Sequence, residues 1–185
     1  MLTINTPRTN WLLMSAISNA SPIILLAKVK RLGLLRDVYG TVEIPSSVKL
    51  ETVDRGKRMG DRDVVDIESA IEAGWVKVVS LSRVQTRRAN KLVRDARVGM
   101  GEAETVVLAR DRKLLAILDD KEARGIAQAW GLEYTGTAMV LYEAFTKRLL
   151  SYDELVECLS KLARVMWIST DVITEIIKKA SEVRK

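Results

Sequence analysis

The chain of 185 residues contains no histidine, one cysteine, three prolines and one phenylalanine. Without histidine there can be no Ser–His–Asp triad, no histidine general base and no histidine zinc site. With Cys158 as the sole thiol, no disulfide can close within the chain and no thiolate zinc site can be assembled. Any bound metal must therefore be held by oxygen, which suits Mg²⁺ or Mn²⁺. Long apolar runs are also missing. Nothing approaches the roughly 20 residues that span a bilayer. Residues 11–14 are too short for the apolar part of a signal peptide, and the run at 23–27 is cut off by Lys28 and Lys30. The expected compartment is the cytoplasm, with no membrane partner. No glycine-rich loop follows any expected strand, which argues against a dinucleotide or P-loop nucleotide site.

The hydrophobic share of 48% is ordinary for a globular protein, and the length suits one domain with a helical appendage. The formal net charge is +6 and the pI about 9.5. That balance leans modestly toward polyanions such as RNA or DNA, although a basic proteome or solvated surface accounts for the charge alone better. A composition poor in Asn and Gln and rich in Arg, Lys and Glu fits a thermophile.

Along the chain, residues 1–10 read as an irregular leader and residues 13–18 as a short apolar strand. A helix is expected next, with Ser21 as N-cap and Pro22 in its first turn, ending near Gly33. A further helical turn, 34–39, precedes a strand at 41–44. Ser46 and Ser47 then open a helix through Val48, Leu50 and Glu51, and the charged stretch 54–62 reads as a loop. Residues 63–73 have helical apolar spacing closed by Gly74. A strand at 76–81, a basic helix at 83–97 and a turn at 99–101 follow. Then come a helix at 102–112, a buried strand at 114–118, a helix at 120–130 and a strand at 132–135. Beyond Gly136 the pattern is helical to the end, broken near Trp167 and Ile168 and capped afresh at Ser169 or Thr170. Strands alternating with helices imply a parallel sheet, hence an α/β fold: a three-layer α/β/α arrangement around four to five parallel strands, plus C-terminal helices.

In open parallel sheets, ligands bind beyond the carboxyl ends of the strands. The polar residues expected at that edge are Asn19 after the first strand and Glu51 in the helix after the second. Asp119 and Asp120 follow the buried strand at 114–118, and Glu102 and Glu104 open the helix before it. Each has a structural alternative. Asp119 and Glu122 can form a capping box, Glu102 suits a helix dipole, Glu51 can be a solvated helix residue and Asn19 can bond a turn. Glu102 and Glu104, two apart, face different ways on a helix, so one of them is expected to point into a shared site. Four such coincidences at one edge favour a divalent-metal centre. A receiver-like signalling module or an aspartyl phosphatase would need acids after the first strand, where only Asn19 stands.

Four segments, taken in order, carry a resemblance. They are Ile17-Ser18-Asn19-Ala20-Ser21-Pro22-Ile23-Ile24-Leu25-Leu26-Ala27-Lys28, Ile44-Pro45-Ser46-Ser47-Val48 leading to Glu51, Gly101-Glu102-Ala103-Glu104, and Leu118-Asp119-Asp120-Lys121-Glu122-Ala123-Arg124. The set resembles a PIN domain, nearest the branch of archaeal and bacterial PIN-like proteins similar to VapC toxins. The resemblance covers residues 13–150, and Gly136-Thr137 before an apolar helix matches the same branch. It implies a Mg²⁺- or Mn²⁺-dependent ribonuclease, with Asn19, Glu51, Glu102, Glu104, Asp119 and Asp120 as candidate metal ligands. Of these, Glu51, Glu102, Asp119 and Asp120 are the candidate catalytic carboxylates. Asn19 stands where the family usually has its first Asp. The alternative is a PIN-fold protein that binds RNA or a partner without cutting. Candidate RNA-binding residues are Lys28, Arg31, Lys57, Arg58, Arg87, Arg88 and Arg124. The resemblance also implies a homodimer and a small antitoxin partner. Leu155, Leu159, Leu162, Val165 and Trp167, with Val172, Ile173, Ile176 and Ile177, make residues 151–185 a helical extension that either packs on its own domain or forms that interface. Cys158 shares the apolar face of Leu155 and Leu162 and reads as plain core.

Overall fold

The structure is a computed structural model that describes residues 15–183. The expected leader and the first two residues of the expected first strand lie outside the described residues. Five parallel strands form one sheet: β1 (Ala16–Ser18), β2 (Val42–Pro45), β3 (Val76–Val79), β4 (Leu115–Ile117) and β5 (Tyr134–Thr135). Their spatial order is β3-β2-β1-β4-β5. The chain works outward from β1 through β2 to β3, then returns to the other side for β4 and β5. The order therefore reverses between β1 and β4, which is where an open α/β sheet leaves a crevice.

Alternation along the strands builds the three layers. Ala16, Leu115 and Ile117 face the larger apolar cluster, whereas Ile17, Ala116 and Leu118 face the smaller one. The larger layer holds α1 (Ala20–Lys28), α2 (Leu34–Tyr39), α5 (Val64–Glu72) and α9 (Thr137–Thr146). It also holds α10 (Tyr152–Val165) and α11 (Thr170–Val183), whose Leu155, Leu159, Leu162 and Ile176 are fully buried in the same cluster as Ile23 and Leu26. The smaller layer holds α6 (Arg83–Ala96), α7 (Met100–Arg112) and α8 (Lys121–Ala129). Among the described residues, no helix is long and apolar enough to cross a membrane.

Several local expectations are corrected. α1 starts at Ala20 with Asn19 in the cap position, two residues earlier than a Ser21 cap allows. The stretch expected to be a loop from residue 54 is largely helical. α3 (Ser46–Lys49) runs on through a π-helical segment (Leu50–Arg55) into α4 (Gly56–Met59), which stops only where Gly60 turns left-handed at φ 73°. Gly56 is not a breaker here. A Cβ on it would overlap the Val64 Cγ2 at 2.5 Å, so its bare backbone lets α4 lie against α5. The expected turn at 99–101 is in fact the cap and first turn of α7. The helical pattern beyond Gly136 breaks once more than expected, at Arg148, which has φ 60°. Ser151 and Glu154 then form a reciprocal capping box that opens α10.

Gly56→Ala should destabilise the protein by about 1–3 kcal/mol, because the Val64 side chain is β-branched and cannot swing away. Chemical denaturation measures this. An alanine variant as stable as the parent would show that the close approach of α4 and α5 is not required.

Candidate metal centre at the switch point

β1 is followed directly by Asn19, whose backbone N–H still bonds the Ile117 carbonyl at 3.3 Å. The residue is therefore fixed in the crevice between β1 and β4, and it is fully buried. Asn is a favoured N-cap, yet its side chain makes no capping bond to α1. Instead its Nδ2 donates to Glu102 Oε1 at 3.2 Å. An ionised carboxylate only accepts, so the amide nitrogen is the atom bonded to Glu102 and the amide oxygen is left for another partner. That oxygen, Asn19 Oδ1, is buried and has no hydrogen-bond partner. A buried acceptor without a donor is unfavourable by about 1–3 kcal/mol. Such an atom is suited to a cation.

Glu102 lies in the first turn of α7, with its carboxylate folded back over Gly99. Two residues later Glu104 points elsewhere, accepting from the Ser47 hydroxyl of α3. Between Gly99 and Glu102, Gly101 is the contact point with the other arm. A Cβ there would lie 3.2 Å from Val48 Cγ2 and 3.6 Å from Glu51 Oε2. The glycine thus lets the helix carrying Val48 and Glu51 close on α7. The π-helical segment presents Glu51, and such segments are rare and frequent at functional sites. Burial raises the Glu51 pKa above its ordinary value, the Glu102 charge raises it further, and Arg55 opposes both. Asn19, Glu51 and Glu102 therefore converge from β1, the segment after α3, and α7.

The paired aspartates are employed differently. Asp120 caps α8, its Oδ1 accepting from the Ala123 N–H at 2.7 Å. Asp119 is therefore not the cap of a box with Glu122. It binds Thr137 at the start of α9, taking the backbone N–H at 2.8 Å and the hydroxyl at 2.5 Å. Burial raises the Asp119 pKa, while the two Thr137 bonds and the nearby Arg124 pull it down. Among the described residues, no three His, Cys, Asp or Glu side chains gather closely enough to hold a metal ion. The groups that the fold does bring together are two carboxylates, those of Glu51 and Glu102, and the Asn19 amide bonded to Glu102. Mg²⁺ is commonly held by one or two carboxylates with water completing its shell, so these residues fit a hard cation without a third acid.

The basic candidates are scattered. Lys28 lines a cleft with Glu51. Arg31 is held by Cys158 Sγ and Glu154, tying the turn after α1 to α10. Lys57 pairs with Glu68 and Arg88 with Asp111, while Arg58 and Arg87 are exposed. Arg124 stands beside Asp119. Sequence reasoning missed Arg55, because the stretch holding it reads as a loop. One turn beyond Glu51 on a continuous helix, it would have been visible. It also missed that Thr137 would hold Asp119, which requires knowing that β4 and β5 are neighbours.

Glu51→Gln should stabilise the metal-free protein at neutral pH, since it removes a carboxylate whose ionised form is disfavoured by burial and by Glu102. A raised folded-state pKa means that the penalty is complete above that pKa and gone below the ordinary value of 4.5. The variant's advantage should accordingly shrink as the pH falls through this window. Thermal melts at several pH values with a chelator present measure it. A variant no more stable than the parent at neutral pH would show that the two carboxylates do not oppose each other.

No curated protein matches the chain. A family model, DUF3368, described as a PIN domain, matches residues 15–182 and so takes in all five strands and the C-terminal helices. PIN domains are a nuclease fold that generally works with divalent metal ions. The parallel sheet, the convergence at its switch point and the span of this match agree, and the chain belongs to the PIN-domain family.

Proposed function

We propose that the protein is a Mg²⁺- or Mn²⁺-dependent endoribonuclease of the VapC-toxin type, with Asn19, Glu51 and Glu102 as the metal-holding set. The observation that carries this reading is the buried, unpartnered Asn19 Oδ1 beside two mutually repelling carboxylates. Glu51 and Glu102 supply the negative charge and Asn19 a neutral oxygen. When bound, the ion supplies activation of water and neutralises charge in an in-line displacement at phosphorus. Asn19 orients Glu102 by its amide donation, and Gly101 holds Glu51 against the same point. Asp119 fixes the start of α9 at the edge of the crevice, with Arg124 beside it to meet a phosphate. Asp120 contributes through its cap of α8, and Glu104 through Ser47. Lys28 and Arg55, which line the cleft beside Glu51, are the cations that would meet the RNA backbone there. This account needs no histidine, in keeping with the sequence.

The test is cleavage of unstructured RNA with Mg²⁺ or Mn²⁺ by the parent chain and by a Glu102→Gln/Asp119→Asn double variant. Cutting by the parent alone is expected. Equal cutting by both would sink the reading. No cutting by either, with RNA still bound, would favour the non-cleaving alternative that the neutral Asn19 suggests.

A homodimer, a small antitoxin partner and a cytoplasmic location belong to the same proposal. The exposed Val165 and Trp167, at the turn between α10 and α11, are the apolar surface offered for assembly. Trp167→Ser should shift a dimer toward monomer in sedimentation. An unchanged oligomeric state would place the contact elsewhere.

A further inference from the structure

Beside the metal-holding set lies a cleft of about 180 Å³ between α1, the π-helical segment, α4 and α5. Pockets for drug-sized ligands run to roughly 300–1,000 Å³, so this one takes a single small ring system. Its inner wall is apolar, formed by Ile24, Val64 and Ile67, with the exposed and flexible Met59 at the mouth. Thr52, also in the lining, has a hydroxyl that is buried and without a partner. Buried polar atoms are normally satisfied, so a ligand group that bonded this hydroxyl would be favoured. Glu51 belongs to both the cleft and the metal-holding set, which makes the two continuous.

The charges around the cleft determine what it accepts. Glu51, Asp61 and Asp63 bring three carboxylates, against Lys28 and Arg55. Asp63 is already paired with Lys30, whereas Asp61 is exposed at the rim. With two carboxylates left against two cations, such a surround gives a bare phosphate no net attraction. A flat ring with N–H groups on its edge is favoured: its faces pack on the aliphatic wall and its edge donates to carboxylate. Cations on the same rim then meet the phosphates on either side of that ring.

From this we propose that the cleft is a nucleobase subsite. It receives one base of the bound RNA strand next to the scissile phosphate and favours bases with an exocyclic amino group. The inference rests on the ribonuclease reading for its substrate, and on the cleft's own lining for its selectivity. Asp61 accepts the amino group and the Thr52 hydroxyl meets a ring nitrogen or carbonyl. Uracil, which presents a carbonyl where cytosine has its amino group, would set an acceptor against the carboxylate.

Cytidine and uridine are therefore the matched probes. Each is titrated, without metal, into the full chain carrying labelled isoleucine and valine methyl groups. Cytidine should shift the methyl signals of Ile24, Val64 and Ile67 at least about tenfold more tightly than uridine, a difference of about 1.4 kcal/mol. Asp61→Asn should remove the preference, and Thr52→Val should weaken cytidine while the methyl spectrum remains that of a folded protein. Inorganic phosphate alone should leave these methyl groups unmoved. Equal response to the two nucleosides, no response to either, or an equal response to phosphate would overturn the inference. Because neither metal nor cleavage enters the measurement, the two readings fail separately. Cytidine binding by a chain that never cuts RNA would sink the nuclease reading alone, and RNA cutting by a chain deaf to nucleosides would sink the subsite alone.

Discussion

Glu102→Gln is expected to lower metal-dependent RNA cleavage by on the order of 10²–10³-fold, with little change in stability. The glutamine keeps an oxygen that can accept from Asn19 Nδ2, so the 3.2 Å contact holding the crevice together survives. What disappears is one of only two charges in the converging donor set. A cation whose site is built from two carboxylates and a neutral amide loses half of its charge compensation. The position also tolerates the change sterically, since the side chain folds over Gly99, where no Cβ competes with it. Single-turnover cleavage, together with a melt of the same preparation, measures both parts. Activity within a few fold of the parent in a folded variant would remove Glu102 from the machinery.

The second large effect is expected at Asn19. Asn19→Asp places a carboxylate in a fully buried position, facing the carboxylate of Glu102 in place of the amide donor. An uncompensated buried charge is unfavourable by roughly 3–5 kcal/mol. In a chelator at neutral pH the variant should melt well below the parent, and acidification should recover part of the loss by protonating the new group. Divalent metal should then raise its melting temperature more than it raises the parent's, since binding to the folded state alone stabilises it. The same substitution should tighten Mn²⁺ binding, by turning a neutral ligand into a charged one. A variant as stable as the parent in chelator and indifferent to metal would mean that position 19 faces neither Glu102 nor a cation.

Much of this was legible in the residues themselves. Short apolar strands between amphipathic helices dictated a parallel sheet, and the acids after those strands pointed to one edge of it as the place for a site. The strand order was not legible, because nothing within β1 or β4 states which neighbour it takes. That order decides that Asn19 sits at the reversal and that Asp119 lies next to Thr137. The twin aspartates were ambiguous for a local reason. Either can cap α8, and only the turn after β4 determines that Asp120 does so and leaves Asp119 free for α9. The continuation of the helix beyond Glu51 was hidden by charge and by Gly56 and Gly60, which normally punctuate loops. Gly56 instead serves the contact with Val64, a tertiary reason invisible in a single segment. The missing third acid was plain from the start, in the letter at position 19.

The most direct test is Mn²⁺ binding by the histidine-free chain, followed by calorimetry or by the electron paramagnetic resonance of the free ion. One site should be seen in the parent, lost in Glu51→Gln/Glu102→Gln and retained in Glu104→Gln, whose carboxylate is turned to Ser47. Equal Mn²⁺ binding by the parent and the Glu51→Gln/Glu102→Gln variant would contradict the assignment of the metal to this crevice.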